Sequence, residues 1–120
     1  MHEDAPVLDR SVIAELRESV GDDDAFIADL VATYLAESAD HLAAMDAAAT
    51  AGDAAAIMRP AHTLKSSSAA LGALRLAAIA RDIEMAGRAT DAADLPARVA
   101  DARATWAETL REMAAAGLTK

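Results

Sequence analysis

The sequence predicts an all-α protein: an antiparallel up-down-up-down four-helix bundle with an additional short N-terminal helix. Three observations carry this. Apolar residues recur with helical period, and no segment alternates with period two. Alanine, the strongest helix former, occurs 35 times, while 5 glycines and 3 prolines are too few to turn a many-stranded sheet. The connections between periodic segments are short, so consecutive helices pack antiparallel.

Each helix has its own start and stop. The first runs from Asp9, an N-cap residue, to Val20, with Gly21 stopping it; Val12 or Ile13, Leu16 and Val20 form its stripe. Asp22, Asp23 and Asp24 open the second, where the helix dipole favours carboxylates. Its stripe is Ile27, Leu30, Val31, Tyr34, Leu35, Leu42 and Met45, and it ends near Gly52. Asp53 caps the third, which turns Ile57, Ala61, Leu64, Ser68 and Leu71 inward until Gly72 breaks it. The fourth spans Leu74 to Gly87, with Leu76, Ile79, Ala80, Ile83 and Ala86 inward. Arg88 to Asp94 reads as a loop. The last helix starts near Pro96 and presents Val99, Ala102, Trp106, Leu110 and Met113. The four long helices form the bundle, and the short first helix lies across it.

Pro60 interrupts this pattern. A mid-helix proline loses a hydrogen bond and crowds the carbonyl of Ala56. Either the third helix continues with a kink, or a new helix begins at Pro60 with His62 in its first turn. The unbroken stripe Ile57, Ala61, Leu64 favours the continuous helix.

A length of 120 residues fits one domain, residues 1–120, with an ordered core of about 7–117 and frayed ends. Aromatics are only 2% of the chain, so the core is aliphatic and alanine-rich. The net charge of −9 opposes nonspecific binding to nucleic acid or to an anionic membrane. No apolar run is long enough to span a bilayer, and the acidic N-terminus lacks the apolar stretch of a signal peptide. The absence of cysteine removes thiolate chemistry and suits a reducing compartment, so a cytoplasmic location is expected; a monomer is also expected. The opening methionine and the lack of flanking linkers lead us to expect a free-standing protein.

The segment from Ala61 to Ala73 is the most informative. At about 100° per residue, His62 lies roughly 200° from the inward Leu64 and faces water. Lys65, Ser66 and Ala69 continue the same exposed strip, so the histidine is flanked by a cation and small residues that let a bulky partner approach. His62 and Glu84 each lie eleven residues from Ala73, the centre of the turn. At 1.5 Å per residue both sit about 16 Å from it, level across antiparallel helices. Glu84, expected on the exposed side of its helix, is placed to accept Nδ1–H of His62, leaving Nε2 as the exposed nucleophile. Arg59, Lys65, Arg81 and Arg88 make a basic island suited to an added phosphoryl group.

The run His62-Thr-Leu-Lys65-Ser-Ser-Ser-Ala-Ala-Leu-Gly72 resembles the signature of histidine-containing phosphotransfer (Hpt) domains of two-component phosphorelays. The motif is a histidine with lysine at +3, small residues at +4 to +6, and Leu-Gly at +9 and +10. Phe26 and Leu30 entering the second helix, and the Glu84-x-x-x-Arg88 pair, extend the likeness over nearly the whole chain. Ser66 stands where the family commonly has glycine, and Glu84 where it often has glutamine. The resemblance implies that His62 accepts a phosphoryl group from a receiver-domain aspartate and passes it to another receiver. Lys65 and Arg88 would stabilise the group. The receivers belong to response regulators or hybrid histidine kinases and bring the Mg²⁺; this chain binds no cofactor and is no enzyme. Leu8 and Val12 on the first helix are expected to stay partly exposed near His62, with Met85 beside Glu84, as an apolar docking patch.

Plainer accounts exist for each residue. A lone surface histidine is usually idle, and Glu84 with Arg88 is also an ordinary i,i+4 helix pair. His41 and His62 lie level about Gly52, but a transition-metal site needs three or four ligands, so no metal is expected. His2 sits in the N-terminal end and carries no expectation. The three serines 66–68 have no base to activate them. No glycine-rich nucleotide loop accompanies the histidine, which opposes a kinase or phosphatase. The alternative class is a non-phosphorylated helical adaptor that binds a receiver or kinase.

Overall fold

The structure, a computed structural model, describes residues 4–119. Five helices follow one another: α1 Arg10–Ser19, α2 Asp24–Ala51, α3 Ala54–Ala70, α4 Leu74–Arg88 and α5 Leu95–Ala115. No strand occurs among the described residues. Helix α2 packs on α3, α3 on α4, α4 on α5, and α5 back on α2, so the four long helices enclose the core in a ring. The molecule measures 44 × 26 × 21 Å. Its long axis matches the 28 residues of α2, which at 1.5 Å per residue span about 42 Å.

The aspartates start the helices as expected. Asp9 accepts from the Ser11 N–H at 3.0 Å, Asp23 from Phe26 at 3.1 Å and Asp53 from Ala56 at 3.0 Å. Each satisfies a first-turn donor that the helix itself leaves without a partner. Gly52 ends α2 in the left-handed region at φ 67°, and the N–H of Asp53 returns to the carbonyl of Ala48 at 2.9 Å.

Pro60 lies inside one continuous helix, so the reading in which a new helix begins there is overturned. Burial of Ile57, Ala61 and Leu64 on one face outweighs the single lost hydrogen bond. His62 is therefore mid-helix and gains nothing from a helix N-terminus.

Other departures have local causes. Of the two residues offered for the stripe of α1, Val12 or Ile13, it is Ile13 that is buried. Arg88 belongs to α4, and α5 begins one residue before Pro96. On α5 the buried face includes Thr105 and Thr109, while Trp106 and Leu110 are half-buried. The Thr109 hydroxyl donates to the Thr105 carbonyl at 2.8 Å, which makes burial of a polar side chain tolerable. On α2, Ser38 fills the gap in the stripe between Tyr34 and Leu42. The ends are tied more firmly than expected: Leu118 is buried, and the Pro6 carbonyl accepts from the Arg75 N–H at 2.9 Å.

Two buried clusters divide the core. One, with Leu42, Ile57, Ala61, Leu64 and Ile83, fills the bundle below His62. The other, with Leu8, Ile13, Val31, Leu71 and Met113, fastens α1 to the far end. Between them the Tyr34 hydroxyl and Ser68 Oγ share a buried hydrogen bond of 2.8 Å. Burial pushes the Tyr34 phenol above its ordinary pKa, so it stays protonated.

The α3–α4 turn is where α1 attaches. The Asp9 N–H donates to the Gly72 carbonyl at 2.8 Å, and Gly72 sits at φ 80°. A β-carbon on Gly72 would stand 2.6 Å from the Asp9 carbonyl oxygen. Gly72→Ala therefore pairs a left-handed strain with a clash against backbone, and is expected to destabilise the protein by about 2–4 kcal/mol. Urea denaturation measures this; a loss below about 0.5 kcal/mol, the range of neutral surface changes, would show that α1 is not held here.

Candidate functional site

His62 stands on the outer face of α3, one residue past the buried Ala61 and two before the buried Leu64. Its side chain is 60% exposed. Across the hairpin, Glu84 occupies the level that the eleven-residue arithmetic assigned it. Its Oε2 lies 2.7 Å from His62 Nδ1. An ionised carboxylate only accepts, so Nδ1 carries a proton, and in the neutral ring the lone pair is then on Nε2.

Glu84 corrects one expectation. It is not on the exposed side of α4: its side chain is 8% exposed, wedged between the two helices. Lys65 Nζ donates to its Oε1 at 2.7 Å, and Arg88 Nη2 to its Oε2 at 3.4 Å. These donors explain how a carboxylate is tolerated there. The Lys65 hydrogen bond, and after it the His62 contact, hold the Glu84 carboxyl below its ordinary pKa against the opposing effect of burial. Glu84 is ionised at neutral pH.

Of the four cations of the expected basic island, Lys65 and Arg88 thus gather at Glu84, whereas Arg59 and Arg81 stay at the exposed surface. Ser66 and Ala69 are exposed beside His62, leaving its approach lined by small side chains. Ser67 is engaged with the carbonyl of Thr63 at 3.0 Å, and Ser68 is buried. Met85, next to Glu84, is exposed.

The expected docking pair fares differently. Leu8 precedes α1 rather than lying on it and is buried. Hydrogen bonds from the N-terminal segment to Gly72 and Arg75 press Leu8 into the far cluster. Gly72 is ten residues from His62 on α3, or about 15 Å along the axis. Val12 is half-buried at that same end. His41 is half-buried on α2, and no group of three His, Cys, Asp or Glu side chains placed to hold a metal occurs among the described residues. His2 lies outside the described residues.

One residue of the site neighbourhood escaped the sequence reading. Gly87 reads as the end of the fourth helix, yet α4 continues through it, and its Cα faces α3 at close range. The signal in the sequence was a glycine one turn after Glu84 with helix-forming residues on both sides.

Fold and site together define an all-helical bundle that presents an exposed histidine, His62, backed by a buried carboxylate. The chain belongs to the Hpt domain family, whose family model matches residues 29–116. It is also similar to the crystal structure of histidine-containing phosphotransfer protein B (HptB) from Pseudomonas aeruginosa PAO1, at 31% identity over 88% of this chain and 89% of that one, with a TM-score of 0.77. No curated protein matches the chain.

Proposed function

We propose that this protein is a phosphorelay intermediate in which His62 receives a phosphoryl group from a receiver-domain aspartate and delivers it to another receiver. The observation that carries the reading is the 2.7 Å contact of His62 Nδ1 with the buried Glu84, on an Hpt-family chain. It pins one ring nitrogen and turns the other to solvent. In the forward step the Nε2 lone pair attacks phosphorus, the N–P bond forms, and the P–O bond to the receiver's aspartate breaks, releasing a carboxylate. The ring becomes cationic, and the Glu84 carboxylate faces its Nδ1–H. The return step reverses these bonds on a second receiver. Lys65 and Arg88 stand close enough to turn toward the phosphoryl oxygens. The Mg²⁺ and the acidic pocket belong to the receiver, and the chain itself acts as a carrier rather than an enzyme.

The chain has the features of an up-down-up-down four-helix bundle with α1 packed at one end. It acts as a cytoplasmic monomer that docks receivers of response regulators or hybrid kinases over the Ser66 and Ala69 strip. No helix among the described residues is long and apolar enough to cross a membrane.

The test is incubation with a phosphorylated receiver domain and Mg²⁺. A carrier gains acid-labile, base-stable label; an adaptor gains none; an enzyme turns over without a stable intermediate. Ser66→Arg sharpens it, because the side chain is exposed. Melting is expected to stay normal while transfer is blocked by bulk beside the imidazole. Fast transfer by Ser66→Arg would show that the partner does not approach over this strip.

A further inference from the structure

Five glycines occur in the chain, and four of them sit at positive φ: Gly21, Gly52, Gly72 and Gly117. Those four use the backbone freedom that glycine has and other residues lack. Gly87 does not. It lies within α4 at an ordinary helical conformation, a position where alanine favours the helix more. In a chain with 35 alanines, the missing β-carbon here calls for a steric account.

The surroundings supply one. A β-carbon on Gly87 would stand 2.8 Å from the Ala54 carbonyl oxygen, 2.8 Å from Met58 Cγ and 2.9 Å from Ile57 Cγ2. Met58 is flexible and can move. Ile57 is fully buried, and the Ala54 oxygen is backbone, so neither yields without moving α3 itself. Gly87 is therefore a point at which α4 packs directly on the backbone of α3. Glu84 is one turn earlier on the same helix and spans the same gap to reach His62 and Lys65, both at 2.7 Å. Glutamate cannot lengthen, so a wider gap pulls its carboxylate from Nδ1.

We infer that Gly87 is a positioning residue for His62: by lacking a side chain it sets the α3–α4 separation at which Glu84 reaches the imidazole. The kinetic consequence rests on the phosphoacceptor reading of His62; the effect on the ring does not.

The test compares the wild type with Gly87→Ala, Gly87→Ala/Met58→Ala, and Leu118→Ala. The alanine at 87 gains helix propensity, and Met58→Ala removes one of the three clashes, so the double variant separates crowding by Met58 from contact with the α3 backbone and Ile57. Leu118→Ala truncates a buried residue in the far cluster, which does not include Ala54, Ile57, Met58 or Gly87, and serves as a destabilised control. Nitrogen NMR of the His62 ring reports the tautomer directly. Both Gly87 variants are expected to lose the single Nδ1–H tautomer, and Leu118→Ala to keep it. Phosphoryl transfer should slow about ten- to a hundredfold in the Gly87 variants, the scale of a misplacement of about 1 Å. Retention of the Nδ1–H tautomer with wild-type transfer in the Gly87 variants overturns the inference. So does an equal loss of the tautomer in Leu118→Ala, which would assign the effect to general loosening. If the wild type accepts no phosphoryl group, the functional reading fails, while the tautomer comparison still decides the role of Gly87.

Discussion

His62→Gln is expected to take up no phosphoryl group from a phosphorylated receiver, whereas His41→Gln takes it up at the wild-type rate. The reason is chemical. An amide nitrogen has no available lone pair, so glutamine at 62 offers no nucleophile in place of Nε2. The fold should survive, because the His62 side chain is largely outside the core and glutamine retains an N–H to donate to Glu84. His41 is half-buried on α2 and has no part in the hydrogen bonds to Glu84 that define the site. Incubation with labelled receiver and Mg²⁺, followed by an acid-stability assay of the product, reads the result. Label entering His62→Gln at the wild-type rate would remove this histidine from the role.

Glu84→Gln is expected to produce the second-largest effect, and pH separates its two parts. The carboxylate now accepts from His62, Lys65 and Arg88 at once. An amide has one accepting oxygen and one donating nitrogen, so Lys65 and the ring compete for the oxygen. Where the amide nitrogen faces the ring, Nδ1 must accept, the proton moves to Nε2 and the nucleophile is lost. Transfer should fall by up to about 10²-fold, the low end of what a positioned acid–base partner contributes. At pH 7 the variant should be about 1–2 kcal/mol less stable, the charge-assisted hydrogen-bond range reduced by the desolvation of a buried carboxylate.

The acid limb has a definite sign. The Glu84 carboxyl is held below its ordinary pKa in the folded protein, chiefly by the Lys65 hydrogen bond. A depressed folded pKa stabilises the native state above the unfolded pKa, and that contribution disappears as pH falls through the folded value. The stability gap between wild type and Glu84→Gln should therefore hold from neutral pH to about 5 and close at lower pH, since only the wild type has this proton to gain. Urea titrations across pH 3–7 measure the gap. A gap that stays constant to pH 3 would show that the Glu84 charge does not contribute.

Much of the site was legible because helices are regular. A fixed rise and turn per residue place His62 outward from Leu64 and level with Glu84, and this needs only a hairpin turn near Ala73. The caps Asp9, Asp23 and Asp53 act within three residues of themselves, so their roles do not wait for the rest of the fold. Pro60 was harder, because a local penalty opposed a non-local gain. Burial of Ile57, Ala61 and Leu64 decided it for a continuous α3.

By itself, then, the sequence determined the helical class, the starts of the helices and the pairing of His62 with Glu84, since all three follow from local signals and helical arithmetic. Only the tertiary structure decided how deep each residue lies. Helical period gives the direction of a side chain but not the breadth of the face its neighbours cover. Glu84 is consequently buried where an exposed carboxylate was expected, and Leu8 is buried where a partly exposed docking residue was expected. Thr105 and Thr109 are likewise drawn inward because the backbone can satisfy a threonine hydroxyl. The separation of α3 and α4 is a property of the pair. The one glycine with an ordinary helical backbone, Gly87, shows its purpose only where the Ala54 carbonyl and Ile57 stand against it.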